Sequence, residues 1–130
     1  MWLIFMLYKR NNIIKNWFLV LVWAGFIFFL SNQPDLKSSL PGQWDFILRK
    51  LAHISEYAIL FFLLTRALFG HQISRKKVFV LSVALSIGYA ISDEYHQSFI
   101  QGRHGSAQDV LIDSAGVFLS AWLNTRKIVK

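Results

Sequence analysis

The chain has 130 residues, 55% of them hydrophobic and 16% charged, with a formal net charge of +7 and no cysteine. So much apolar content at the length of one domain excludes an ordinary soluble protein and makes a bilayer the natural solvent. The lack of cysteine excludes disulfides, thiolate nucleophiles and thiolate metal sites, and the basic residues lie in short clusters beside long apolar runs, a membrane-flank pattern for which no nucleic-acid partner is expected.

A first apolar run, Trp17 to Leu30, follows Lys9, Arg10 and Lys15. This resembles a signal peptide, but Ser31-Asn32-Gln33-Pro34 comes next with no small-x-small cleavage pattern, so an uncleaved helix is expected, extended at its start by Ile13 and Ile14. The chain's two prolines, Pro34 and Pro41, both fall between Ser31 and about Gln43, which reads as a loop. A second helix is expected from near Asp45 to Phe69, ending at Arg66 and Gly70. The group Arg75-Lys76-Lys77 precedes a third run, Val78 to Ser92, that passes directly into Asp93-Glu94. A fourth is expected from Ala107 to Leu123, with Ser106 as N-cap and Asp109 at the third helical position.

Several of these runs fall short of the ~20 apolar residues that a lone spanning helix needs. They span only if their polar ends face one another or water. The expected architecture is therefore an all-α, polytopic bundle of about four transmembrane helices forming one domain over residues 1–130, without repeats. Lys and Arg are retained on the cytoplasmic side. One face collects Lys9, Arg10, Lys15, Arg66, Arg75, Lys76, Lys77, Arg126, Lys127 and Lys130, and the other only Lys37, Arg49, Lys50 and Arg103; ten against four predicts both termini inside.

Polar residues recur at helical spacing. Lys50, His53, Glu56 and Tyr57 share one side of the second helix; Ser82, Ser86, Tyr89, Asp93 and Gln97 follow one line on the third, flanked by Glu94 and His96; Ser106, Asp109, Asp113, Gly116 and Ser120 form a stripe on the fourth. In the expected topology their charged members meet at the outer face, joined by Arg103 and His104 from the connecting loop. Charges at membrane depth are costly and normally face the bundle interior with a partner, so Lys50 or Arg103 is expected to pair with Glu56, Asp93 or Asp113.

Some of these positions have simpler explanations. Asp109 complements a helix N-terminus, Gly116 and Ser120 let transmembrane backbones approach, Trp44, Tyr95 and Trp122 suit the membrane interface, and His104 beside Gly105 suits an exposed turn. Glu56, Asp93, Glu94 and Asp113 are harder to explain so, because a purely structural bundle avoids burying them.

His53-x-x-Glu56 and Asp93-x-x-His96 each set an imidazole and a carboxylate on one helical face, as helical-bundle metal sites do. No His-Glu-x-x-His motif is present, and the spacing assigns neither a metal nor a cofactor. Acid–base chemistry is open to His53, Glu56, Asp93, Glu94 and His96, with Lys50 or Arg103 steadying a phosphate or oxyanion; there is no nucleophile elbow or P-loop.

The motifs Lys50-x-x-His53-x-x-Glu56-Tyr57, Asp93-Glu94-x-His96-Gln97-x-Phe99, Gln101-Gly102-Arg103-x-Gly105-Ser106-x-x-Asp109 and Asp113-x-x-Gly116 occur in that order, and the chain from about residue 45 to 123 resembles the VanZ-like family. The resemblance implies a multi-pass protein of the bacterial plasma membrane and a link, through the founding member, to resistance to the glycopeptide teicoplanin.

With that resemblance, the leading expectation is an envelope protein, embedded in the lipid bilayer, that binds an anionic lipid or a lipid-linked wall-precursor headgroup. Its ligand-binding residues are expected to be Lys50, His53, Glu56, Asp93, Glu94, Gln97, Arg103, Asp109 and Asp113. The alternatives are a membrane-embedded hydrolase or transferase acting on a lipid phosphate, and an ion-coupled transporter, which with four helices requires a homo-oligomer.

Overall fold

A computed structural model describes residues 12–34 and 39–128, with side chains to residue 124. Among them are four helices and no strand: α1 (Ile13–Ser31), α2 (Gly42–Phe69), α3 (Arg75–Gln97) and α4 (Ala107–Ile128). Of the cations used to orient the chain, Lys9, Arg10, Lys37 and Lys130 lie outside the described residues, as do the side chains of Arg126 and Lys127.

The helix boundaries follow local chemistry. The helix α2 starts at Gly42, earlier than the expected Asp45, because Pro41 holds φ −54° and ψ 146° at the N-cap and brings Gln43 and Trp44 into the first turn. Ser74 caps α3, its Oγ accepting from the Lys77 amide at 3.3 Å. That helix runs past Ser92, where the apolar run stops, to Gln97, since Asp93 and Gln97 are both buried and bond to each other at 3.1 Å. Ser106 caps α4 as expected, its Oγ accepting from the Asp109 amide at 3.1 Å.

Successive helices run up and down, and α2 packs against each of the other three. The start of α1 meets the end of α2, where the Trp17 indole donates to His71 Nε2 at 2.8 Å. The end of α1 meets the loop before α4. Trp23 donates to the Glu56 carbonyl and Tyr89 to the Ala24 carbonyl, which tie α1 to α2 and α3.

The interior is unusually polar and the exterior apolar. Ser82, Ser86 and Asp113 are fully buried, while Phe18, Leu21, Phe29, Leu51, Leu111 and Phe118 are exposed. Small residues let the backbones approach, as in membrane bundles where tails solvate the outer side chains. One such close approach is at Gly116, against the backbone of Ile54 on α2. Three helices, α1, α2 and α3, are long and apolar enough to cross a membrane. The fourth, α4, spans 22 residues and carries Asp109 and Asp113.

Candidate functional site

The ends of α1 and α3 and the starts of α2 and α4 lie together around an open cavity of about 590 Å³. Of the residues singled out from the sequence, Lys50, His53, Glu56, Asp93, Gln97, Arg103 and Asp109 line it, and His104 stands at its exposed side. The convergence expected from the helical spacing is therefore present. Its partner assignments differ from expectation.

Lys50 pairs with Asp109 across α2 and α4, and its ammonium lies 5.3 Å from the centre of the Phe46 ring. Asp109 takes the lysine, rather than the expected Glu56, Asp93 or Asp113, because the N-cap turn at Ser106 fixes its carboxylate beside the first turns of α2. Ser106 Oγ also donates to Asp109 Oδ2 at 2.8 Å. The reading of Asp109 as a helix-start complement and its reading as a site residue thus describe the same carboxylate.

Arg103 pairs with backbone instead of a carboxylate: Nε donates to the Gln33 carbonyl at 3.0 Å and Nη2 to the Leu30 carbonyl at 3.3 Å. These carbonyls belong to the C-terminal end of α1, where a cation complements the negative end of the helix dipole. Gly102, at φ 79°, turns the chain so that the guanidinium reaches them. Gly105 lies so close to the Glu94 backbone that an added Cβ would stand 3.1 Å from its carbonyl carbon.

Behind the cavity wall, His53 Nδ1 lies 2.9 Å from Asp113 Oδ1, and Asp113 is completely buried. Asp93 is also buried; its Oδ2 accepts from the Tyr57 hydroxyl at 3.2 Å and from Gln97 Nε2 at 3.1 Å. Glu94 Oε2 accepts from the Ser106 amide at 3.2 Å. The N-cap amide of α4, which a capping box would satisfy from within its own helix, is instead met from α3.

His96 is not part of this group. Its ring stacks on Phe28 at 4.8 Å and its Nε2 lies 3.3 Å from Asn32 Oδ1, so it fastens α3 to the end of α1. The pairs His53/Glu56 and Asp93/His96, which share helical faces in the sequence, do not form the closest donor set. That set is His53, Glu94 and Asp113, one from each of α2, α3 and α4, with ligand atoms all within 4.8 Å of one another.

Some polar groups in and beside the cavity were not singled out as site residues from the sequence. Asp45 is buried in the first turn of α2 and bridges Arg49 at 2.9 Å; its spacing of four to Arg49 is the available sequence signal. The carbonyls of Leu30 and Gln33 carry no sequence signal at all.

The family model described as VanZ/LLP1 matches residues 16–127 of the chain. Neither a curated protein nor a solved structure matches it.

Proposed function

The chain belongs to the VanZ-like family, and from that premise we propose that it is a multi-pass protein of the bacterial plasma membrane that binds a lipid-attached phosphate, an anionic lipid or a lipid-linked wall-precursor headgroup, in the cavity between α1, α2, α3 and the loop before α4. The observation that carries this reading is the two-sided lining. Ile27, Leu30, Phe46 and Leu48 supply an apolar wall, and Lys50, Arg103, Glu56, Asp93 and Gln97 supply a polar one. A volume of about 590 Å³ falls among those of small-molecule sites. An amphiphile fits such a site, with its tail along the apolar wall and its phosphate near Lys50 and Arg103, while the carboxylates and Gln97 accept from or donate to headgroup hydroxyls and amides. Teicoplanin protection would follow from this binding if the bound headgroup is that of the wall precursor.

The binding reading is tested with detergent-purified protein titrated with a polyprenyl diphosphate, phosphatidylglycerol and phosphatidylcholine. Saturable binding of at least one of the first two is expected, with phosphatidylcholine inert and Lys50→Met weakening binding by about tenfold, as loss of one charge-assisted contact does. His71→Gln, at the opposite end of the bundle, serves as the unaffected control. Equal affinity for all three lipids would end the proposal. In a sensitive host, teicoplanin protection by the wild type that disappears in Glu56→Gln and Asp93→Asn, at equal membrane abundance, would link the same residues to resistance.

We further propose that this cavity faces outward and both termini face the cytoplasm, on the strength of the basic residues Lys15, Arg66, Arg75, Lys76 and Lys77 at the opposite end. The chain has no cysteine, so single substitutions report topology cleanly. His104→Cys is expected to react with a membrane-impermeant maleimide in intact cells, and Gln72→Cys only after permeabilisation. The reverse pattern inverts the orientation.

A second reading, a membrane-embedded hydrolase or transferase on a lipid phosphate, draws on the His53–Asp113 pair at 2.9 Å beside Glu56, an arrangement suited to general acid–base work. Turnover of a lipid phosphate that is lost in Glu56→Gln would favour it over simple binding.

A further inference from the structure

Three buried carboxylates at this end of the bundle, Asp93, Glu94 and Asp113, have no lysine or arginine partner among the described residues, and two of them also keep an oxygen without a hydrogen-bond donor. Asp113 is 0% exposed and Glu94 5% exposed. Asp113 Oδ2 and Glu94 Oε1 have no hydrogen-bond partner among the described residues, although their other oxygens bond to His53 and Ser106. The nearby cations are engaged elsewhere: Lys50 with Asp109, Arg49 with Asp45, and Arg103 with the carbonyls of Leu30 and Gln33. A buried carboxylate oxygen without a donor is costly, and more so inside a membrane bundle.

We propose that His53, Glu94 and Asp113 form a divalent-cation site that ties α2, α3 and α4 together just behind the cavity. One imidazole and two carboxylates are donors suited to Zn2+, Mn2+ or Fe2+, and without thiolates the site does not favour soft ions. Charge balances, since a neutral imidazole, two carboxylates and a dication sum to zero.

The distances fit as well. The Nδ1–Oδ1 separation of His53 and Asp113 is 2.9 Å, and neighbouring ligands at ~2.1 Å on an octahedral ion stand about 3.0 Å apart. The ion would take the place of that hydrogen bond, the imidazole proton moving to Nε2. All three donors lie within 4.8 Å of one another, against about 3.0 Å for neighbouring and about 4.2 Å for opposite ligands on such an ion, so closure requires movement of up to about 2 Å. Three protein ligands leave further positions open, and His53 lines the cavity, so an open position can be reached from it. The inference rests on the buried donor set and is independent of whether the cavity binds lipid.

The test uses the full chain, purified in detergent with any affinity tag removed, stripped with chelator and titrated separately with Zn2+, Mn2+ and Mg2+. One equivalent of Zn2+ or Mn2+ is expected to bind, and to bind more tightly as pH rises, because the imidazole must be neutral and both carboxylates ionised to act as ligands. Glu94→Gln and Asp113→Asn are expected to weaken binding by at least about tenfold, and His104→Gln to leave it unchanged. Binding that survives both carboxamide substitutions, or that vanishes with His104→Gln, overturns the site. The wild type also decides the matter if a variant does not fold: bound Mn2+ is expected to show the electron spin-echo modulation of a single imidazole nitrogen, which persists when His71, His96 and His104 are all replaced by glutamine. No stoichiometric binding, or a manganese spectrum without that modulation, rejects the proposal.

Discussion

Gly116→Val is expected to prevent the chain from accumulating as a folded protein, and Gly116→Ala to lower its melting temperature in detergent by on the order of 10 °C. A Cβ at Gly116 would stand 2.9 Å from the carbonyl carbon of Ile54 and 3.1 Å from its Cα, closer still to the carbonyl oxygen. These are backbone atoms within α2, so no side-chain rotation can relieve the clash, and α2 and α4 must separate. Overpacking of a well-fitted contact costs about 1–3 kcal/mol even where side chains can yield. The same two helices carry the Lys50–Asp109 and His53–Asp113 pairs. Separation therefore also weakens the contacts that order the cavity. Gly25, beside which an added Cβ meets nothing within 4 Å, is the matched control, and Gly25→Ala is expected to be nearly neutral or slightly stabilising through helix propensity. The measurement is a thermal melt of the three purified proteins; equal stability of Gly116→Ala and Gly25→Ala would mean that α2 and α4 do not meet there.

Arg103→Ala is expected to release the end of α1 from the loop before α4. The guanidinium satisfies the Gln33 and Leu30 carbonyls at once, and hydrogen bonds from a charged donor contribute about 1.5–3 kcal/mol each when well shielded. Arg103 is half-buried, so a combined local loss of about 1–3 kcal/mol is the reasonable scale, or roughly ten- to a hundredfold in an opening equilibrium. The Asn32 and Gln33 amides, which bond to the Phe28 and Leu30 carbonyls at 2.9 and 3.2 Å, report that opening directly. Their hydrogen exchange is expected to accelerate by that factor, while amides near Leu60 in the centre of α2 keep their rates. Arg103→Lys is expected to recover less than half of the lost free energy, because a single ammonium cannot reproduce the planar fork. Exchange unchanged in Arg103→Ala would show that other contacts, His96 with Asn32 among them, hold α1 in place. Since Leu30 and Arg103 both line the cavity, the alanine variant is also expected to bind the lipid phosphate of the proposed function about tenfold more weakly.

The helices, their polar stripes and the end of the bundle where those stripes meet were legible in the sequence. They depend on local properties: extended apolar runs, prolines and a capping serine at the boundaries, and a repeat of 3.6 residues that places Lys50, His53 and Tyr57 on one side of α2 and Asp93 with Gln97 on one side of α3. The family resemblance, carried by those same residues, is also a property of the sequence. Where boundaries moved, as at Gln97, the helix continued because buried polar side chains found partners inside, which hydropathy alone does not register.

The partners themselves were decided only by the tertiary structure. Spacing along one helix does not specify the rotation of that helix against its neighbours or how far it is shifted along its axis. Those quantities arise from close contacts such as Gly116 on Ile54 and Gly105 on Glu94. They set Lys50 against Asp109 rather than Glu56, send Arg103 to backbone carbonyls and turn His96 toward α1. They also gather His53, Glu94 and Asp113 from three helices, although sequence spacing favours the pairs within one helix, because only packing brings donors so far apart in the chain within reach of a single ion.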